Sequence, residues 1–148
     1  MLEEYEPDIV IGLGLHPRTD EPLIELSAIN YGFRRLDENV YSKYLFEEGE
    51  PVAMLPVDHV ELLKYLWSRG FKVSPSNTLG LYLCNAVAYT YYRYARTRGK
   101  YAVFIHIPPV GDLRIRLKLD VKCSWNIQLL VELVKVIIGY FKKNLERT

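Results

Sequence analysis

The chain has 148 residues, 49% of them apolar, with 19 basic and 18 acidic side chains and a formal net charge of +1. That length suits a single domain spanning 1–148, large enough to bury a core without covalent staples. Near-neutrality removes the electrostatic case for a nucleic-acid backbone or an anionic membrane as partner. Two cysteines make no disulfide framework and read as free thiols of a reducing compartment, so a cytoplasmic location is expected. The start at Met1 runs straight into Glu3, Glu4 and Glu6 rather than into a basic and then apolar leader. The most apolar stretch, 127–141, carries Glu132 and Lys135 and is too short to span a bilayer.

Taken in order, Ile9–Leu15 (IVIGLGL) is a continuous apolar run of the kind buried on both faces of a parallel sheet. Gly12 and Gly14 let other backbone come close, but no further glycine and helix start follow at the spacing a phosphate loop requires. The polar stretch 16–22 is a loop leaving the carboxyl end of a strand, where α/β sheets build their sites. Residues 23–30 predict a second strand interrupted by Glu25, read most simply as an edge-strand carboxylate in water. From Tyr31 to Gly49 no period holds, which predicts an irregular excursion with Arg34 and Arg35 as a solvated pair. A short apolar piece, 51–56, leads into a predicted helix over 57–67 with Val60, Leu63, Leu66 and Trp67 on one stripe and a stop at Gly70. His59 lies off that stripe and is read as a surface residue. Phe71–Lys72–Val73 predicts a short strand.

Ser76, Asn77 or Thr78 can cap the next helix, predicted over 79–96, in which Leu83, Val87 and Tyr91 keep the period. Cys84 lies early in it, where free amides and the helix dipole favour negative charge. A small buried hydrophobe is the plain alternative for this residue. The aromatic and cationic run 91–98 fits a helix C-terminus better than a base-stacking surface. Gly99 ends the helix, and Tyr101–Ile107 predicts a buried strand carrying His106 at its far end. Strict alternation over 113–122 predicts a half-buried strand with Arg114, Arg116, Lys118, Asp120 and Lys122 on the wet face. In the last helix, 125–145, Leu129, Leu133, Val136, Ile137 and Tyr140 are expected to face the sheet. Leu130, Val134 and Ile138 widen its stripe enough to demand a second cover, which predicts a homo-oligomer. This order of elements predicts an α/β fold, a layered αβα domain on a mainly parallel central sheet.

Two segments resemble a known family: Ser76–Asn–Thr–Leu–Gly–Leu–Tyr–Leu–Cys84–Asn85 is similar to the nucleophile signature of the pyroglutamyl peptidase I family, and Phe104–Ile–His106–Ile–Pro108 to its histidine signature. Weaker matches at Pro7–Asp8, Gly14, Glu25 with Asn30, Asp37 to Asn39 and Leu55 to Val57 fall in the same order. The resemblance implies a cysteine-type omega-peptidase in which Cys84 is the nucleophile, His106 its base and Glu25 the carboxylate that orients the imidazole. It implies a peptide blocked by an N-terminal pyroglutamyl residue as substrate, a thioester intermediate, and no metal or organic cofactor. The family's first strand–helix–strand segment, with its glycine- and phenylalanine-rich pocket loop, has no counterpart here. Leu26, Leu79 and Val103 stand where the family usually has arginine, alanine and glycine. The alternative implied is a shortened homologue acting as a binding or structural subunit, with a second copy or a separate chain completing the sheet.

Overall fold

The computed structural model describes residues 2–36, 39–118 and 124–147. In chain order its elements are α1 (Leu2–Tyr5), β1 (Ile9–Leu15), β2 (Leu23–Glu25), β3 (Ser27–Ile29), β4 (Gly32–Leu36), β5 (Asn39–Lys43), β6 (Val52–Met54), α2 (His59–Trp67), β7 (Ser74–Ser76), α3 (Leu83–Arg98), β8 (Tyr101–Ile107), α4 (Asp112–Arg116) and α5 (Ile127–Leu145). Four strands form the central sheet in the order β1-β8-β2-β7. The amide of Tyr101 donates to Asp8 and that of His16 to Ile107, so β1 and β8 run parallel. Ser74 donating to Pro22 and Leu26 to Ser76 make β2 and β7 parallel as well. Only β2 against β8 is antiparallel, with Leu23 opposite His106 and Ile24 opposite Ile105. The sheet is therefore mixed and mainly parallel within an alternating α/β fold, as the element order predicts.

β8 meets the expectation for a central strand, buried at every position from Ala102 to His106. β1 does not: Val10 and Gly12 are buried, but Leu13 is 52% exposed and Leu15 41%. An apolar run reads alike in both places; the difference is that β1 is the terminal strand of the sheet order. The strand predicted over 23–30 is split at Leu26, because β3 pairs antiparallel with β6 in a sheet of its own. The excursion predicted after Tyr31 is instead an antiparallel hairpin, β4 with β5, in register from Gly32–Lys43 to Leu36–Asn39. Backbone ladder bonds sustain it where no side-chain period announces a strand.

Helix ends moved too. α3 begins at Leu83 rather than 79, since Gly80 takes a left-handed turn at φ 69° after Leu79. Its C-terminus is as predicted: Gly99 is left-handed and its N–H donates to the Ala95 carbonyl. The strand predicted at 71–73 lies three residues later, at β7. The alternating segment after Asp112 opens as the short helix α4, and residues 119–122 of that predicted strand lie outside the described residues. Alternation specifies a strand only where a partner strand is available, and α4 ends in a turn at Lys118 with φ 51°.

By contact the chain divides into two compact units. The first comprises Met1–Gly12, Glu25–Val57 and Ser76–Phe104. Its core is the face of α3 made by Asn85, Ala88, Tyr89, Tyr92 and Ala95, packed on β3 and β6. That face lies off the predicted Leu83–Val87–Tyr91 line, and Leu83 is 80% exposed. Asn30 is buried, accepts the Phe46 amide at 2.9 Å and donates to the Phe46 and Gly49 carbonyls, closing the turn between them.

The second unit comprises Leu13–Ile24, Asp58–Pro75 and Ile105–Thr148. Asp58 caps α2 by accepting the Val60 and Glu61 amides. α2 buries Leu62, Leu63 and Leu66 and packs on α5, while Val60 and Trp67, expected on the inner stripe, are about half exposed. The Trp67 indole N–H donates to the Val73 carbonyl, which accounts for its outward position. α5 is capped by Asn126 and buries Leu130, Leu133, Ile137 and Phe141, a stripe rotated from the predicted one; Leu129 stays exposed.

Gly12 illustrates how tightly the first unit is filled. A Cβ there would stand 2.5 Å from Phe104 Cδ2 and 3.1 Å from Tyr91 Cε2. Gly12→Ala is expected to destabilise the fold by about 1–3 kcal/mol, the usual cost of overpacking, read as a fall in the midpoint of thermal unfolding.

Candidate active site

The first unit holds two of the three predicted site residues. Because α3 starts late, Cys84 becomes its second residue, and no side chain caps the helix at Tyr82. The sulfur therefore sits in the first turn, where amides and dipole favour an anion. Opposing effects are larger. Burial pushes the Cys84 thiol up from its ordinary value, the Glu25 charge pushes it further, and a hydrogen bond from its own backbone amide only partly offsets them. At rest Cys84 is a half-buried thiol, free of any disulfide.

Glu25 is fully buried, which overturns its reading as an edge carboxylate in water. Its Oε2 accepts the Thr78 amide at 3.2 Å. That amide also reaches Ser76 Oγ, which bonds the Thr78 hydroxyl at 2.8 Å. The Glu25 carbonyl accepts the hydroxyl of Tyr92 at 2.5 Å. Ser76 and Thr78, expected as helix caps, thus serve the carboxylate instead.

Asn85 closes the nucleophile signature, but the sequence attached no role to it. It is buried beside Cys84, accepts the Ile29 amide at 2.8 Å, and donates to the carbonyls of Ile29 and Tyr31. These bonds tie the start of α3 to the end of β3. A polar residue next to a nucleophile candidate at a helix start was the available signal. Nearby, a cavity of about 400 Å³ is lined by Ser27, Ile29, Asn77, Thr78, Leu79 and Asn85. Ser27 donates to Asn77 across it.

His106 lies in the second unit, 3% exposed on β8 opposite Leu23. The ring of His16 meets it edge-on, with centroids 5.3 Å apart and planes at 75°. His16 is fixed from both sides: its amide donates to Ile107 and its Nδ1 accepts the Arg18 amide. The loop expected to build a site reaches the predicted base His106 through His16, a histidine that the sequence did not single out. His59 is exposed, as expected. Among the described residues no three His, Cys, Asp or Glu side chains gather to hold a metal ion.

The structure thus brings Cys84 and Glu25 within electrostatic reach of each other in one unit and places His106 against His16 in the other. Comparison with known proteins shows the family. A model of the pyroglutamyl peptidase family matches residues 1–143. The pyrrolidone-carboxylate peptidase of Pyrococcus furiosus is 36% identical over 147 residues, covering 93% of this chain and 70% of that protein. Pyrrolidone-carboxylate peptidase 1 of Saccharolobus solfataricus is 28% identical, covering 97% and 69%. The crystal structure of the Pyrococcus furiosus pyrrolidone carboxyl peptidase superposes with a TM-score of 0.83 and 30% identity, over 97% of this chain and 73% of that one. On sequence and fold together, the chain belongs to the pyroglutamyl peptidase family.

Proposed function

We propose that this chain is a cysteine-type omega-peptidase that hydrolyses the amide bond following an N-terminal pyroglutamyl residue, with Cys84 as nucleophile, His106 as base and Glu25 as the carboxylate orienting the imidazole. The observation that carries the reading is the coupling of Cys84, in the first turn of a 16-residue helix, to a fully buried carboxylate held by a backbone amide. A buried carboxylate is costly unless it is hydrogen-bonded, and here the Thr78 amide meets it. Family membership supplies the rest of the support.

In this mechanism His106 takes the thiol proton as Sγ attacks the pyroglutamyl carbonyl carbon. The proton passes to the departing amine, which leaves as the shortened peptide and a thioester remains on Cys84. Water, losing a proton to His106, attacks the thioester; pyroglutamate departs and the proton returns to sulfur. The raised Cys84 thiol fits general-base removal of the proton during attack rather than a standing thiolate–imidazolium pair. The cavity beside Asn85, with amide and hydroxyl groups among leucines, has the volume and mixed lining that a small lactam needs. A reducing, cytoplasmic setting would keep the thiol available.

The same reading includes self-association. β1 ends the strand order, and an apolar groove of about 270 Å³ in the second unit is lined by Leu13, Ile107, Ile127, Leu130 and Val131. Exposed strand edges and apolar patches of this kind are normally covered by a partner. No helix among the described residues is long and apolar enough to cross a membrane.

Purified protein is expected to release fluorophore from pyroglutamyl-aminomethylcoumarin, with Cys84→Ala abolishing turnover and His106→Ala lowering kcat by about 10²–10⁴. A folded wild-type protein no faster than Cys84→Ala would sink the peptidase reading in favour of a binding or structural subunit. Alkylation of Cys84 by iodoacetamide, followed by mass spectrometry, is expected to keep accelerating with pH beyond the ordinary thiol range, because its conjugate acid persists to higher pH. A rate already flat at neutral pH would show a pre-formed ion pair instead. Light scattering at micromolar concentration is expected to give a mass above that of one chain; a monodisperse monomer refutes self-association.

A further inference from the structure

Tyr92 occupies a position that ordinary sheet geometry assigns to a ladder bond. Continuing the register of β2 on β8 beyond Leu23–His106 and Ile24–Ile105 sets Glu25 opposite Phe104. The Tyr101 amide and the Ile107 carbonyl both address β1, so alternation along β8 turns the Phe104 amide toward β2. That amide donates to the Tyr92 hydroxyl at 3.1 Å, and the hydroxyl donates onward to the Glu25 carbonyl at 2.5 Å. One phenol oxygen, on a fully buried side chain, stands in for a rung of the sheet.

We propose that Tyr92 is a positioning residue for Glu25: by inserting its hydroxyl between the Glu25 carbonyl and the Phe104 amide, it holds β2 away from β8 at the last residue before the chain leaves the sheet, and so fixes where the Glu25 carboxylate stands. The proposal rests on the reading that Glu25 acts on the chemistry of Cys84. Both backbone groups of the next residue are committed elsewhere. The Leu26 amide goes to Ser76 and the Leu26 carbonyl to Leu55, each at 2.8 Å. The carboxylate itself is received by Thr78. If β2 closed directly on Phe104, Glu25 would be drawn toward β8 by the width of an oxygen, away from the Thr78 amide. Burial keeps the phenol protonated well above its ordinary range, so Tyr92 remains a donor throughout the working pH.

Tyr89, one turn earlier on the same buried face of α3, supplies the control. Its hydroxyl also donates to a carbonyl at 2.5 Å, but that of Glu50. A merely structural tyrosine behaves like Tyr89; a positioning one does not.

The test uses Tyr92→Phe, Tyr89→Phe, Glu25→Gln and Glu25→Gln/Tyr92→Phe, all carrying Cys123→Ser so that Cys84 is the sole thiol. Iodoacetamide alkylation is measured against pH. Glu25→Gln is expected to lower the midpoint, since the Glu25 charge raises it. Tyr92→Phe should lower it by roughly half as much or more, and should add nothing in the Glu25→Gln background, the signature of residues acting as one pair. Tyr89→Phe should reduce thermal stability and leave the midpoint in place. In parallel, the Thr78 amide resonance should shift in Tyr92→Phe and not in Tyr89→Phe; this reading needs only that the fold persists. An unmoved midpoint in Tyr92→Phe, a shift equal in both tyrosine variants, or shifts that add in the double variant would overturn the proposal. So would an unmoved midpoint in Glu25→Gln. Alkylation requires no turnover, so a protein inactive on pyroglutamyl amides defeats the proposed function while this outcome is still read.

Discussion

The candidate site depends on two backbone bonds made by one residue. Leu26 gives its amide to the central sheet, at Ser76, and its carbonyl to Leu55, next to β6. Backbone N–H and C=O groups inside a fold need partners, and those of Leu26 find theirs on different sheets. The chain is thereby obliged to leave β2 immediately after Glu25. That obligation brings the carboxylate out of the ladder with its head against the Thr78 amide rather than across a neighbouring strand. Thr78 in turn belongs to the turn that delays the start of α3 and sets Cys84 in the first helical turn. The Coulombic link between Glu25 and Cys84 follows from these bonds, all of them within one unit.

Much of this was legible in the sequence, for reasons that differ by element. β8 was readable because five consecutive buried positions leave no room for a polar residue other than His106. Gly99 was readable because a left-handed cap nearly demands glycine. α5 was readable as a helix but not in its rotation: apolar residues surround much of it, so the sequence does not show that Leu130, rather than Leu129, turns inward. β4 and β5 were missed because a two-stranded ribbon is held by backbone bonds, and its side chains need no common face. The alternating segment after Asp112 misled for the opposite reason, presenting a strand pattern where its first residues form a helical turn.

At the site, Cys84, His106 and Glu25 stood out by their place in recognisable motifs. Of the groups that support them, Thr78 and Asn85 lie in the nucleophile signature, which marks neither Thr78 at the carboxylate nor Asn85 at the helix start, and Tyr92 and His16 lie outside it. Asn85, Thr78, Tyr92 and His16 act through directed bonds and ring contacts that no periodicity encodes. The burial of Glu25 is the clearest case. A glutamate amid isoleucines and leucines reads as an interruption, and only the amide that receives it shows that the interruption is accommodated. The resting thiol is likewise invisible to motif reading, since helix position alone argues for an anion while burial and the neighbouring carboxylate argue against it.

The Leu26–Leu55 bond has one more consequence. It clasps the base of everything between those residues, so β3 to β6 form a closed excursion whose two ends are already joined. Closing a loop costs entropy that grows only with the logarithm of its length. Segments inserted into or deleted from that excursion would therefore register weakly at its neck. Evolution has here a stretch of rim, bordering the cavity through Ser27 and Ile29, that it can lengthen, shorten or redecorate while the carboxylate behind the clasp keeps its address.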